Sequence, residues 1–232
     1  MHAPLVVDIE TVGMNWDDLD PAVQRYLLER ARNEEERQAV PERLGLHPAT
    51  GRIVAIGLWR PDQDRGGVLV EGPADHEAGW QPFEDGALIF RGPEERLLRE
   101  FWRYVSEGAG TIVTFNGRFF DGPYLMLRSA MLGIAPTRNL VPYRYSFREH
   151  CDLAEVLTFH RLRPLESFDF WCRQFGIASP KDELAGAGVA AAYAEGNLDR
   201  IARYCLRDVR ATAELYRRLQ PLIELMDRGV AG

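Results

Sequence analysis

The chain has 232 residues, of which 46% are hydrophobic and 27% charged, with a formal net charge of -7. That composition excludes a wholly disordered chain, the length suits one domain of ordinary or slightly generous size, and no apolar run approaches the roughly 20 residues of a membrane span. The acidic total argues against a protein that coats duplex DNA, and it is unevenly spread: residues 1–111 hold 12 basic against 21 acidic side chains, whereas residues 112–180 hold 8 against 6.

Lys181 is the sole lysine, so nearly every cation is a planar guanidinium suited to gripping phosphate, although coding bias gives the same count. Cys151, Cys172 and Cys205 are an odd number without CxxC spacing, which suggests buried reduced thiols rather than disulfides or a zinc site. With the first strand-like segment beginning by Pro4 there is no room for a secretory signal, and a cytoplasmic location is expected.

In chain order, PLVVDI (4–9) and RIVAIGLW (52–59) read as strands. Between them PAVQRYLLERARNEEERQA reads as an acidic helix, capped by Asp20 with Pro21 in its first turn. Residues 15–47 thus form a helical insertion, a flap or arm whose EEER cluster is a solvated face. GALIFRG (86–92) follows as a third strand, and three successive strands suggest an antiparallel meander. After Pro93, EERLLREFWRYV has apolar residues at helical period. TIVTF (111–115) reads as a strand, followed by helix to Gly133. REHCDLAEVL is a short strand turning into a helix, SFDFWCRQFG is a helix closed by Gly176, and the segment from Leu198 carries the strongest helical pattern. The order βββαβαβαα points to an α/β domain on a mixed sheet flanked by helices.

Asp8 and Glu10 stand two residues apart in LVVDIETVG, so an extended backbone projects both from one face. Two like charges ~4 Å apart repel by about 4 kcal/mol at an effective dielectric of about 20, so a cation is expected nearby. The bland alternative leaves Asp8 exposed beyond the strand end and Glu10 capping a turn. Two further sites bear on the choice. TFNGRFFDGPYL (114–125) presents Asp121 at a helix start, where an ordinary cap is the competing explanation. YCLRDV (204–209) sets Tyr204 one turn before Asp208, which would also suit a core tyrosine beside a solvated acid. Together they bring acids from a strand, a helix start and a late helix to where an open α/β sheet gathers its site. Four carboxylates there suit a hard cation such as Mg²⁺ or Mn²⁺.

VVDIET, NGRFFDGPY and YCLRD resemble, in order and pattern, the three motifs of the DEDD 3′-5′ exonucleases, and look like the exonuclease domain of family B DNA polymerases. The segment from Asn116 to Leu125 is the most specific part, and HCDLAEVL and YAEGNLDRIARYCLRDVRATAELY resemble a family of stand-alone predicted exonucleases related to that domain. The resemblance implies a ribonuclease H-like fold and one domain over residues 1–232. The histidine-type enzymes would need His at 203, which is Arg, whereas Tyr204 fits the tyrosine type; His47, His76, His150 and His160 are expected to be surface or packing residues.

Carried over by residue, the resemblance makes Asp8 the ligand shared by two metal ions, Glu10 and Asp208 the completion of the first site, Asp121 the support of the second and Tyr204 the residue that orients the attacking water. Thr11, Asn116, Phe119 and Phe120 are expected to hold the terminal nucleotide, although core packing competes for at least one of the two phenylalanines. VPYRYSFREH (141–150), with Arg144 and Arg148, is expected to flank a single-strand channel or to cover the sheet edge. SPKDELAGAGV (179–189) has no clear substrate signature and suggests a cover over the site. The implied substrate is the 3′ end of single-stranded nucleic acid, DNA favoured, with a polymerase or repair partner in trans for any proofreading. An exoribonuclease on the same scaffold, a nucleic-acid-binding module without activity and a metal-dependent phosphatase stay open beside it.

Overall fold

A computed structural model describes residues 3–73, 79–178 and 186–228. The elements in chain order are β1 (Leu5–Gly13), α1 (Pro21–Glu29), α2 (Glu34–Gln38), β2 (Gly51–Arg60), β3 (Arg65–Glu71), β4 (Gln81–Pro82), β5 (Leu88–Gly92), α3 (Glu94–Ser106), β6 (Ile112–Thr114), α4 (Asp121–Met131), β7 (His150–Asp152), α5 (Leu153–Leu157), α6 (Phe168–Gln174), α7 (Gly186–Ala194) and α8 (Leu198–Arg228). Among the described residues, seven strands form one mixed sheet in the order β4-β5-β3-β2-β1-β6-β7. Strands β1, β2 and β3 are an antiparallel meander, β5 runs parallel to β3, and β6 and β7 run parallel to β1.

The third meander strand is therefore Arg65–Glu71 and not the segment 86–92, which joins the sheet as β5 beyond it. Its opening RGG hides a strand, because glycine is a poor strand former. The structure needs those glycines: a Cβ on Gly66 would press into the Leu58 carbonyl and one on Gly67 into that of Leu88. The insertion also differs from one continuous helix. It breaks after α1, and Asn33 restarts α2 by accepting the Glu36 N–H at 2.7 Å. Asp20 caps α1 as expected. A 3-10 turn at Pro41–Leu46 then ties the insertion to the sheet, since the Gly45 carbonyl accepts from the hydroxyls of Thr11 (2.7 Å) and Tyr124 (3.1 Å).

Strand alternation sorts β1 between two cores. Leu5, Val7 and Ile9 pack with Leu97, Phe101 and Trp102 of α3 and Tyr124 of α4, whereas Val6 and Val12 pack with Cys205, Val209 and Ala213 of α8. Asp8 and Glu10 occupy the two places between Val6 and Val12 in that second series. A bulge follows at once, where the register shifts between Glu10 and Thr11. Val54 and Ala55, consecutive in β2, both pack on the α8 side, which bends the strand next to the acids. The three cysteines are free and buried, and among the described residues no helix is long and apolar enough to cross a membrane.

Candidate active site

Ile9 lies between the two acids, and its backbone N–H points away from β2. The parallel pairing of β1 with β6 ends at Val6, so this N–H has no strand partner. Asp121, the first residue of α4, supplies one: its Oδ1 accepts the Ile9 N–H at 3.0 Å. The aspartate thus caps the neighbouring strand as well as accepting the first N–H of its own helix, and its carboxylate is drawn towards Asp8 and Glu10. From the opposite side α8 presses on β2 at Gly57, the residue paired with Asp8. A Cβ on Gly57 would stand 2.7 Å from Val209 Cγ1 and 3.0 Å from Cys205 Sγ, so glycine is what lets the helix come this close. The approach delivers Tyr204 and Asp208, one turn apart, with the Tyr204 hydroxyl hydrogen-bonded to the Asp208 carboxylate.

Electrostatics couple Asp8 and Glu10 to Asp121 and Asp208. Desolvation pushes Asp8 well up from the usual carboxylate range, and Asp121, Asp208 and Glu10 add to it. Desolvation likewise raises Glu10, with Asp208 and Asp121 behind it. Asp121 is pushed up to about 7, by burial first and then by Asp152 and Asp208, against the hydrogen bonds it accepts. Burial, with Asp208 next, raises the Tyr204 phenol, which is therefore neutral. Among the described residues no ion pair includes Asp8, Glu10 or Asp121. Carboxylate oxygens of Asp8 and Glu10 and the Cys205 sulfur lie within 4.8 Å of one another. Crowded buried acids of this kind fit a hard divalent cation, whose charge would reverse every one of these shifts.

Asp8, Tyr204 and Asp208 open onto a pocket of about 480 Å³, which Phe115, Asn116 and Phe168 also line. Glu166 and Ser167, which no sequence pattern singled out, stand on the same wall. Of the expected substrate contacts, Asn116 is in the pocket. Thr11 commits its hydroxyl to Gly45 and Phe120 packs on Tyr124 with ring centroids 5.4 Å apart, so both stand outside the lining. Phe119 is 57% exposed, with Arg161 4.6 Å and Arg144 5.9 Å from its ring centre. Arg144 thus lies beside this region, whereas Arg148 pairs with Asp227 at the far end of α8. Of segment 179–189, residues 179–185 lie outside the described residues.

Asp152 is the residue whose role the sequence concealed. Buried at the end of β7, it accepts the N–H groups of Asn116 (2.7 Å), Arg118 (3.0 Å) and Ala154 (3.0 Å). One carboxylate so caps α5 and shapes the loop that runs from β6 to Asp121. Its sequence signal, an acid ending a short strand before LAEVL, is that of any helix cap.

A family model described as a predicted 3′-5′ exonuclease related to the exonuclease domain of PolB matches residues 89–229. The chain belongs to that family. Similar proteins include DNA polymerases of Desulfurococcus sp. (26% identical over 254 residues, 97% of this chain and 30% of the relative) and Pyrococcus glycovorans (24%, with the same shares). The fold matches the family B DNA polymerase of Pyrobaculum calidifontis at a TM-score of 0.63 and 21% identity, over 98% of this chain and 26% of the polymerase. The mixed sheet is accordingly the ribonuclease H-like sheet of a PolB-type exonuclease domain, and the chain spans under a third of the length of these polymerases.

Proposed function

We propose that this domain is a metal-dependent 3′-5′ exonuclease of the tyrosine type, hydrolysing phosphodiester bonds at the 3′ end of single-stranded nucleic acid, with DNA favoured over RNA. The reading takes residues 1–232 as one domain with its insertion at 15–47. The observation that carries it is the convergence of Asp8, Glu10, Asp121 and Asp208, from β1, α4 and α8, where Asp121 and Asp208 raise both Asp8 and Glu10.

Asp8, Glu10, Asp121 and Asp208 would hold two Mg²⁺ or Mn²⁺ ions. Bound there, such ions acidify water and draw negative charge off a phosphoryl oxygen and the leaving group. The chain's own part is positional. Tyr204, neutral and held by Asp208, orients the water that attacks phosphorus, where a phenol suits better than a strong base. The bond from phosphorus to the penultimate 3′ oxygen breaks, that oxygen takes up a proton, and a nucleoside 5′-monophosphate leaves. The pocket beside Asn116 and Phe115 gives the terminal nucleotide its place.

The test is digestion of 5′-labelled single-stranded DNA and matched RNA with Mg²⁺ or Mn²⁺. A ladder shortening from the 3′ end, absent with EDTA and in Asp8→Ala, is the expected result; the faster strand gives the sugar preference. Intact strands with binding retained would replace the exonuclease by a binding module.

A further inference from the structure

Three consecutive residues without glycine's freedom, Phe159, His160 and Arg161, have φ of 51°, 57° and 69°. L-residues avoid this left-handed conformation, and a run of three persists only where the surroundings over-determine it. They do so here. The His160 N–H donates to the Glu155 carbonyl at 2.8 Å, its ring stacks on Phe147 at 5.2 Å, and its carbonyl accepts from Arg144 at 3.1 Å. The Arg161 N–H donates to the Thr158 hydroxyl at 3.1 Å.

This turn aims one side chain, the Arg161 guanidinium, at three targets. Its Nε donates to Glu155 Oε1 at 3.1 Å, its face covers the Phe119 ring at 4.6 Å, and its Nη2 donates to Asn116 Oδ1 at 2.6 Å. Glu155 is a rigid anchor, buried and also gripped by Arg144 through two hydrogen bonds. Asn116 is itself left-handed, at φ 65°, and lines the pocket with Asp8, Tyr204 and Asp208. A guanidinium can only donate, so its bond fixes which end of the Asn116 amide is the oxygen. The NH₂ end, which has no acceptor among the described residues, is left for a ligand in the pocket.

We propose that Arg161 is a positioning residue for the strand end: it holds the Asn116 amide as a preset donor to an oxygen of the terminal nucleotide, and pins Phe119 beside the path of the strand. The assignment rests on the exonuclease reading above. It makes Arg161 act through Asn116, and that relation is open to measurement.

The experiment is a double-mutant cycle on single-strand digestion, with kcat and KM separated. Arg161→Ala and Asn116→Ala should each raise KM by about tenfold with kcat within about twofold, and the double variant should be no worse than Asn116→Ala. Arg161→Lys keeps a charge against Glu155 but lacks the fork that also reaches Asn116; it should fold with the melting temperature of the wild type and show the raised KM. The idea is overturned if Arg161→Ala digests as the wild type does, if Arg161→Lys restores its KM, or if the two alanine effects multiply to about a hundredfold. Those outcomes leave the exonuclease standing. A wild-type chain that shortens no strand overturns the exonuclease reading, and the role of Arg161 with it.

Discussion

Two groups of buried acids lie within a few elements of each other and could hardly be treated more differently. Glu94 accepts the Ile53 N–H at 2.8 Å and takes Arg128 Nε and Nη2 at 2.9 and 2.6 Å. Asp152 has three N–H donors, which oppose but do not cancel the upward push of its burial, and Glu155 has two arginines, which hold it below the usual glutamate range despite its burial. On the α8 face of the same sheet, Asp8 and Glu10 are pushed up by desolvation and by the nearby Asp121 and Asp208. Burial of a carboxylate is therefore uninformative here; compensation is what separates an acid that holds the fold from one that waits for a ligand.

The sharpest way to break this contrast is Asp8→Ala. If the proposed function holds, loss of this acid should lower the digestion rate by about a thousandfold or more in saturating Mn²⁺. In EDTA at pH 8 the same variant should melt about 2–4 °C above the wild type, because a repulsion worth about 1 kcal/mol is gone. Adding Mn²⁺ should raise the wild-type melting temperature and leave the variant unmoved. A variant that melts lower in EDTA would show Asp8 to be a structural acid after all.

Glu94→Ala is the converse. It strands Arg128, whose side chain is 8% exposed, and should cost about 3–5 kcal/mol by denaturant unfolding, while digestion per folded molecule stays within about fivefold. Equal losses of both would erase the distinction between the two groups.

His150 extends the comparison to a buried base. Its Nδ1 faces the Leu140 carbonyl and so carries the proton, leaving Nε2 to accept from Thr114. Burial and the nearby Arg118 lower it from 6.5 to about 4. The sign follows: the neutral ring's contribution is complete above pH 6.5 and is lost as pH falls from there to about 4, to a total of roughly 3 kcal/mol. The urea midpoint should drop across that window, and His150→Gln should flatten the drop. The smallest effect is expected of Tyr204→Phe, about ten- to fiftyfold in kcat at unchanged melting temperature, since only the hydroxyl on Asp208 is removed. A change confined to KM would move Tyr204 from the chemistry to the binding of the strand.

What could be read in advance follows the range of the forces involved. Asp8, Glu10, Asp121, Tyr204 and Asp208 each sit in a local pattern that also fixes their element, so element and acid were legible together. Strand β3 was not, because Gly66 and Gly67 answer to the carbonyls of two neighbouring strands, a constraint no local period carries. Nor were Asp152 and the Arg161 fork, each of which also reaches partners 34 to 45 residues away in the chain. The commitment of Thr11 to Gly45 depends on where the insertion folds back, which its acidic, helix-rich composition does not disclose.

The closeness of α8 to Gly57 carries a consequence for biogenesis. Cys205, seated against the Asp8 carbonyl, is 197 residues from it in sequence, and Asp208 is farther still. Such a non-local closure carries a loop-closure entropy cost that slows folding. Until α8 docks, β1 offers an incomplete set of the acids that the proposed function requires. Under the proposed function, completion of the fold and completion of the site are one event.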